Sequence, residues 1–346
     1  MSQKKNIVFG LSGIEVLPEE RAFFQRQQPL GFILFSRNIG NPSQVRDLIQ
    51  DLRSTVAHDA IPILIDQEGG RVRRLKPPHY REAEAAGKYA ALSEKNITDA
   101  KTAVFLNHFL MGRELSELGI NVNCAPVVDL LFEGAHSIIG DRSFGKDPHI
   151  VSLLGQYAMA GLMAAGVLPI LKHIPGHGRA TADSHQDLPV ISTALLELEQ
   201  TDFIPFKKLA YSPLAMTAHV IVHDLDPVHP VTVSQKAIDY IREGIGYENI
   251  IITDDLSMKA LSGTLGQRAE MSQAAGCDVL LHCNGKLGEM EEIAQHAQLI
   301  KPDVYERLAN WLNKCYSPED LDATLDRYVN MDSQDLELQL AELLTT

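Results

Sequence analysis

Residues 167–185 read VLPILKHIPGHGRATADSH, an apolar run that leads directly into a loop rich in glycine and histidine. The run Val167–Leu171 shows no alternation of apolar and polar residues, which is typical of a strand covered on both faces. The loop that follows contains three histidines, one lysine and one aspartate. Barrels of the α/β class carry their active-site residues on loops of this kind, at the carboxyl ends of parallel strands. The stretch therefore predicts a buried strand that ends in functional residues.

Seven further apolar runs resemble Val167–His173, and most of them are followed by a helical pattern. They are Asn6–Leu11, Gly31–Phe35, Ile61–Asp66, Ile120–Pro126, Leu214–Val220, Ile250–Asp254 and Asp278–Cys283. Helical segments between the runs include Pro42–Val56, Ala103–Leu118, Ile150–Ala165 and Ser234–Gly244. Repeated strand-then-helix units with eight strands predict an α/β fold, a single (β/α)8 TIM-type barrel, with a doubly wound open sheet as the alternative.

We expect one catalytic barrel domain over residues 1–346, with the barrel at about 5–300 and C-terminal helices at about 300–346. The stretch Met290–Thr346 reads as helix throughout. Its leucines at helical spacing are Leu321, Leu325, Leu336, Leu340 and Leu343. We expect this stretch to complete the barrel wall and cap it, because no linker or repeat marks a second domain.

The composition excludes several classes of function. The 346 residues carry 45 acidic and 31 basic side chains and a net charge of −14, unlike the basic surface of a nucleic-acid-binding protein. No run approaches the ~18 apolar residues of a membrane span, and Ile7–Leu11 is too short for the core of a signal peptide. Four cysteines without a CxxC pair predict reduced thiols in a cytoplasmic protein.

Polar residues follow the apolar runs at their carboxyl ends, and in a barrel all these ends meet on one face. They include Asp66, Asp129, Arg142, Lys172, His173, His219, Asp254, Asp255 and His282. Each of these residues alone has an ordinary structural explanation. Their convergence on the face where barrel enzymes bind substrate predicts an enzyme.

The seventh run ends in Asp254 and Asp255. Adjacent strand residues point to opposite faces, so at most one of the two carboxylates should face the barrel mouth squarely. A carboxylate there can be the nucleophile that attacks the anomeric carbon of a sugar. An aspartate before Leu256-Ser257-Met258 can equally cap a helix. Because one residue can cap while the other reacts, the chemistry alone leaves the assignment open.

Asp183 and His185 lie two residues apart on the loop after the fifth run. A histidine with a pKa near ~6.5 can give and take a proton at neutral pH, and a nearby carboxylate can orient its ring. The pair can therefore transfer a proton in the way that a glycoside hydrolase requires of its acid–base group. The alternative is that His173, His177 and His185 bind a metal, although their spacing fits no zinc motif. We expect His177 to pack within the glycine turn without a chemical role.

Lys172 and His173 can donate hydrogen bonds to sugar hydroxyls, and Asp66 can accept hydrogen bonds from two vicinal hydroxyls. The alternative for Lys172 is an ion pair with a strand-end carboxylate such as Asp66, and both descriptions can hold together.

Arginines near the same strand ends are further candidates for ligand binding. Arg142 can reach a hydroxyl or an amide carbonyl of a ligand, or it can form an ion pair that holds its own loop. Of Arg71, Arg73 and Arg74, we expect one or two to be solvated surface charges.

Five short motifs together resemble glycoside hydrolase family 3. They are IDQEGGRV (65–72), GDRSF (140–144), KHIPGHG (172–178), DSH (183–185) and TDDLSM (253–258). Their order and spacing extend over about residues 1–300, and the combination is highly specific. The loop that carries KH and then DSH is similar to that of the N-acetylglucosaminidase branch, which includes the cytoplasmic bacterial β-N-acetylhexosaminidases of peptidoglycan recycling.

The resemblance implies a (β/α)8 barrel and a retaining, two-step mechanism through a covalent glycosyl-enzyme. It implies that Asp254 is the nucleophile and that His185, assisted by Asp183, is the acid and then the base. The positions implied to bind the terminal N-acetylglucosamine are Asp66, Arg74, Arg142, Lys172 and His173.

The substrate implied by the resemblance is N-acetylglucosaminyl-β-1,4-anhydro-N-acetylmuramic acid, with or without its stem peptide. We expect a monomer that needs no cofactor and no nucleic-acid or membrane partner. Three alternatives stay open. A phosphorylase could use the same scaffold, since a neutral histidine tolerates an anionic nucleophile. The others are a metal-dependent hydrolase with histidine ligands and a non-catalytic sugar-binding module.

Overall fold

The computed structural model describes residues 4–134, 138–180, 188–314 and 322–345. The strands in these residues are β1 (Lys5–Phe9), β2 (Pro29–Leu34), β3 (Ile63–Ile65), β4 (Val122–Asn123), β5 (Leu168–Ile174), β6 (Val190–Ile191), β7 (Leu214–Thr217), β8 (Ile221–Val222), β9 (Ile250–Asp255) and β10 (Val279–His282). Eight of them form a closed barrel in the order β1-β2-β3-β4-β5-β7-β9-β10. The short strands β6 and β8 form a separate two-stranded sheet.

Pairing between the first and last strands closes the barrel. Strand β1 pairs in parallel with β10, with Ile7 opposite Leu280, and its other edge pairs with β2. The predicted (β/α)8 barrel is therefore confirmed, and the open-sheet alternative is excluded. Each of the eight apolar runs overlaps one barrel strand. The β6–β8 pair was not predicted, because two-residue strands leave no periodic pattern to detect.

Two layers of apolar side chains hold the fold together. Inside the barrel, inward-pointing residues such as Val8, Leu64 and Ile170 form one buried cluster. Outside it, residues such as Phe9 and Ile251 pack between the strands and the helices. This alternation follows from the two-residue period of a strand, and burial on both faces explains the unbroken apolar runs of the sequence.

The α-helices surround the barrel. They are α1 (Pro18–Gln27), α2 (Pro42–Arg53), α3 (Ala86–Lys95), α4 (Ile97–Leu118), α5 (Pro148–Ala164), α6 (Leu195–Gln200), α7 (Ile204–Lys208), α8 (Gln235–Glu243), α9 (Leu265–Ala275), α10 (Leu287–His296), α11 (Pro302–Leu312), α12 (Asp326–Val329) and α13 (Ser333–Thr345). Helix α4 begins six residues before the predicted start at Ala103. The side chain of Asn96 accepts hydrogen bonds from the backbone N–H groups of Thr98 and Asp99 and so caps the earlier turn.

The prediction of continuous helix over Met290–Thr346 is wrong. Residues 297–301 are not helical, because their backbone pairs with the start of β1: Asn6 N–H donates to Gln298 O at 2.9 Å and Ile300 N–H donates to Lys4 O at 2.9 Å. Pro302 then begins α11, whose Val304 and Leu308 belong to the cluster inside the barrel and close its amino-terminal end. Further along, α13 packs against α4.

Among the described residues, no helix combines the length and the apolar character that crossing a membrane requires.

Candidate active site

A pocket of ≈ 460 Å³ opens at the carboxyl ends of the barrel strands. The described residues that the sequence singled out and that line it are Asp66, Arg71, Arg74, Arg142, Lys172, His173, His177, Asp254 and Asp255. The structure therefore brings together side chains that lie up to 189 positions apart, from Asp66 to Asp255, as strand-end convergence predicts. Three expected members do not line the pocket. Asp129 is fully buried behind it. His219 is buried behind Asp255, and His282 packs against Phe9 in the outer layer.

Asp254 and Asp255 both line the pocket, contrary to the expectation that strand alternation would turn one away. The pairing of β9 with β10 shifts register between Val279–Ile252 and Leu281–Asp255, which breaks the simple alternation. The two carboxylates differ in their partners. Asp255 accepts hydrogen bonds from the backbone N–H and the hydroxyl of Ser257, and from the backbone N–H of Cys283. Asp255 therefore holds the turn that follows β9. It does not cap a helix, because the next helix, α9, begins at Leu265 and is capped by Thr264.

Asp254 has a freer carboxylate. Its Oδ1 accepts one hydrogen bond, at 2.8 Å from the backbone N–H of Asp255, and its Oδ2 has no partner among the described residues. Burial acts to raise the pKa of Asp254. The nearby His219 and His173, with smaller effects from the backbone N–H of Asp255 and from Lys172, outweigh burial and hold the pKa below its usual value. An ionised carboxylate with an unengaged oxygen in a pocket has the properties of a nucleophile.

Asp66 is held between two cations at the side of the pocket. Lys172 Nζ donates to Oδ1 at 2.9 Å, and Arg74 Nη2 donates to Oδ2 at 2.9 Å. Burial acts to raise the pKa of Asp66, but the two cations outweigh it and hold the pKa well below its usual value. The ion pair that the sequence offered for Lys172 is therefore present, and it orients both groups toward the pocket.

Glu68 is a buried member of the same network that the sequence analysis missed. Its carboxylate accepts from Arg142 Nε at 2.7 Å and Nη2 at 2.8 Å, and Lys172 Nζ lies 2.7 Å from Oε1. Burial acts to raise its pKa, but Arg142 and Lys172 lower it to about 2. Its position two residues after Asp66 was an available signal, since alternate residues of an extended chain share a face.

Asp129 is the second residue whose role was missed. It is fully buried behind the pocket, and its Oδ2 lies 2.7 Å from Nδ1 of His173. The backbone N–H of His173 donates to the same oxygen at 3.2 Å, and the backbone N–H of His177 donates to Oδ1 at 2.6 Å. Asp129 therefore ties the end of β5 to the loop that follows it.

The side chain of His177 is buried, as expected for packing in the glycine turn, but it also lines the pocket. Its ring lies 5.7 Å from the ring of His173, centroid to centroid. Burial, with a smaller effect from His173, lowers the pKa of His177 to about 4, so the ring is neutral at pH 7. The burial agrees with packing in the glycine turn, and the absence of a chemical role for His177 stays a prediction.

The two residues predicted to supply the proton, Asp183 and His185, lie outside the described residues. The chain that leads to them is fixed as far as Ala180. Arg179 Nε donates to Asp202 at 2.8 Å, and its guanidinium lies 4.1 Å from the centroid of the Phe132 ring. The loop therefore leaves the barrel from an anchored base beside the pocket.

Of the three neighbouring arginines, only Arg74 contacts Asp66. Arg71 forms an exposed ion pair with Asp141, 2.8 Å from Nε to Oδ1, at the rim of the pocket. Arg73 pairs with Glu82 on the surface. No group of three His, Cys, Asp or Glu residues within 4–134, 138–180, 188–314 and 322–345 is arranged to hold a metal ion.

Residues 11–310 match the N-terminal domain of glycosyl hydrolase family 3. The chain belongs to this family. The family-3 assignment makes the protein a glycoside hydrolase and agrees with the closed barrel and with the carboxylates at its carboxyl face.

The similarity to relatives in family 3 covers most of this chain. A β-hexosaminidase from Alkalilimnicola ehrlichii is 38% identical over 283 residues, 80% of each chain. A β-hexosaminidase from Pseudomonas aeruginosa is 33% identical over 323 residues, 91% of this chain and 93% of the relative. The crystal structure of NagZ from Neisseria gonorrhoeae in complex with N-trifluoroacetyl-D-glucosamine superimposes with a TM-score of 0.86 at 28% identity and covers 99% of both chains.

Proposed function

We propose that this family-3 enzyme is a retaining exo-β-N-acetylglucosaminidase that removes terminal N-acetylglucosamine from β-1,4-linked anhydro-muropeptides during cell-wall recycling. The observation that carries the proposal is the ionised carboxylate of Asp254, with one oxygen unengaged among the described residues, in a sugar-sized pocket beside a network of ion-paired polar groups. The named activity of the relatives, β-hexosaminidase, supports an N-acetylhexosamine as the sugar.

The first step of the proposed mechanism forms a covalent bond to Asp254. Its free oxygen attacks the anomeric carbon from below the ring as the glycosidic C–O bond breaks. His185 donates its proton to the departing oxygen, and Asp183 stabilises the charged imidazole. The anhydro-muramyl part leaves, and the N-acetylglucosaminyl group stays on Asp254.

The second step releases the sugar. Water attacks the anomeric carbon and transfers its proton to His185, and the bond to Asp254 breaks. Two inversions give N-acetylglucosamine with its original anomeric configuration. Neutral His185 is restored to the protonated form that the next cycle needs.

The polar network holds the sugar for both steps. Asp66 is acceptor-only and ionised, so it receives hydroxyl hydrogens, whereas Lys172 and Arg142 donate to sugar oxygens or to the acetamido carbonyl. Because the three groups are already ion-paired, they lose little conformational freedom on binding sugar. Enclosure of one sugar in a pocket of ≈ 460 Å³ fits removal of a terminal residue.

The proposed location is the cytoplasm. Cys124, Cys277 and Cys283 are free and buried. Unpaired thiols are typical of proteins in a reducing compartment.

A comparison of Asp254→Asn with Asp255→Asn tests the proposal. Asp254→Asn should lower hydrolysis of 4-nitrophenyl β-N-acetylglucosaminide by roughly 10³-fold or more, because an amide is a poor nucleophile. Asp255→Asn should retain turnover and lose about 1 kcal/mol of stability, since it weakens the hydrogen bonds that hold the turn after β9. An active Asp254→Asn enzyme would contradict the proposal. In phosphate buffer, N-acetylglucosamine-1-phosphate as the main product would identify a phosphorylase instead.

A further inference from the structure

His173 has its two ring nitrogens in different surroundings. Nδ1 lies 2.7 Å from the Asp129 carboxylate in the barrel wall. Nε2, on the opposite edge of the ring, has no hydrogen-bond partner among the described residues, and the residue lines the pocket. The edge that carries Nε2 is therefore the edge available to a ligand.

The chemistry of Asp129 decides where the proton of this ring lies. An ionised carboxylate can only accept hydrogen bonds, so Nδ1 of His173 must carry a hydrogen and donate it. Burial acts to raise the pKa of Asp129, but His173 and His177 outweigh burial and hold the pKa below its usual value. Asp129 is also fully buried, so no water competes for its oxygens.

The two backbone contacts of Asp129 prevent the carboxylate from turning away. One oxygen receives the backbone N–H of His177 at 2.6 Å, and the other receives the backbone N–H of His173 at 3.2 Å. Both oxygens are therefore engaged, one by a donor at the end of β5 and the other by a donor on the loop that follows. The carboxylate is fixed in its plane, and it fixes the ring of His173 in turn.

We propose that Asp129 is a positioning residue that keeps the proton of His173 on Nδ1, so that Nε2 accepts a hydroxyl hydrogen of the bound sugar beside Asp254. This proposal rests on the glycosidase function for the identity of the ligand, but not for the tautomer. A sugar hydroxyl that donates to Nε2 is held in one orientation. A ring with its proton on Nε2 cannot accept the hydrogen of that hydroxyl.

The variant Asp129→Asn reverses this polarity with almost no change in shape. Asparagine has one acceptor oxygen, and its NH₂ group can only donate. With the oxygen on the N–H of His177, the NH₂ group faces Nδ1 of His173 and moves the ring proton to Nε2. The 3.2 Å hydrogen bond from the backbone N–H of His173 is lost at the same time. We expect kcat/KM to fall roughly 10- to 100-fold, the usual effect of losing the partner that orients a functional histidine.

Asp226 provides a matched control. It accepts from the backbone N–H groups of Val228 at 2.9 Å and His229 at 3.1 Å, and its Oδ2 lies 3.2 Å from Nδ1 of His229. The Ser234 hydroxyl also donates to Oδ2 of Asp226, at 2.7 Å. Asp226 therefore resembles Asp129 in holding a histidine and two backbone N–H groups, on a loop that does not line the pocket. Asp226→Asn should leave kcat/KM near the wild-type value, and a loss equal to that of Asp129→Asn would overturn the proposal.

Two readouts separate positioning from simple support of the fold. Long-range ¹H–¹⁵N NMR of the histidine rings should show the proton of His173 on Nδ1 in the wild-type protein and on Nε2 in Asp129→Asn. In a His173→Gln background, Asp129→Asn should cause little further loss of kcat/KM. A wild-type ring protonated on Nε2 alone, or equal losses in both backgrounds, would overturn the proposal.

Failure of the proposed function would look different. An enzyme that is inactive on every β-N-acetylglucosaminide would contradict the proposed function, and the NMR result would still decide the tautomer of His173.

Discussion

The guanidinium of Arg142 donates two parallel hydrogen bonds to the carboxylate of Glu68, from Nε at 2.7 Å and from Nη2 at 2.8 Å. Lys172 approaches the same carboxylate, with Nζ 2.7 Å from Oε1, and also contacts Asp66. Glu68 therefore links the loop after β4 to the end of β5. Two cations proposed to bind the sugar depend on one buried anion for their position.

Replacing Glu68 by glutamine should weaken sugar binding. The amide can accept on one side only, so its NH₂ group must face Arg142 or Lys172, which are both donors. Removing one partner of a buried ion pair costs about 3–5 kcal/mol, shared here between stability and the geometry of the site. We expect a higher KM in steady-state kinetics and a lower midpoint in urea unfolding. Glu133→Gln, which removes an exposed pair with Lys146, is the control and should change neither. A wild-type KM in Glu68→Gln would contradict the role of Glu68.

Mild acid should destabilise the fold through buried histidines such as His108. Burial lowers the pKa of His108 to about 4, below its value of 6.5 in the unfolded chain. The unfolded state therefore takes up a proton first, and stability that is complete above pH 6.5 is lost as the pH falls toward 4. For this residue the loss between pH 7 and pH 5 is about 2 kcal/mol.

Urea unfolding of His108→Gln at the two pH values measures that contribution. The variant should lose less stability between pH 7 and pH 5 than the wild-type protein does. Replacement of the exposed His149 by glutamine should leave the wild-type difference unchanged. Identical pH dependence in His108→Gln and the wild type would show that His108 is not the group that titrates.

The barrel could be predicted from sequence because burial on both faces of each strand leaves a continuous apolar run. The same reasoning placed Asp66, Lys172 and Asp254 on one face, since strand ends of a barrel converge. Local patterns failed where the partner is distant. Glu68 is 74 positions from Arg142, and Asp129 is 44 positions from His173, so the local sequence does not identify the partner of either carboxylate.

The prediction of continuous helix over Met290–Thr346 was wrong for a related reason. Its helical spacing is real within α10, α11 and α13, but residues 297–301 leave the helix to pair with β1, almost the whole chain away. A backbone pairing of this kind overrides local propensity and has no local signature.

Helix α11 is predicted to contribute to stability as the closure of the barrel interior. Leu308 is 1% exposed and packs with the inward-facing residues of the strands, whereas Leu338 on α13 is 65% exposed. Leu308→Ala should lower the free energy of unfolding by about 3 kcal/mol, the usual cost of a buried cavity. Leu338→Ala should change it little. Equal, small effects of the two substitutions in urea unfolding would contradict this role for α11.

The thiol at the pocket should be unreactive. Cys283 lines the pocket, but burial raises the pKa of its thiol well above the usual value, and the nearby Asp255 and Asp66 carboxylates add to this effect. Thiolate is the reactive form, so iodoacetamide at pH 8 should leave Cys283 unmodified in the folded protein and modify it after denaturation. Peptide mass spectrometry measures both states. Rapid modification of folded protein would contradict the buried environment.

The most direct test of the central claim is to trap the glycosyl-enzyme and locate the bond. A 5-fluoro sugar that keeps the 2-acetamido group and carries a good leaving group should inactivate the enzyme, because fluorine slows the second step more than the first. Fragmentation of the labelled peptide from the end of β9 should place the sugar on Asp254. A label on Asp255 or outside β9, or turnover without any covalent species, would contradict the account.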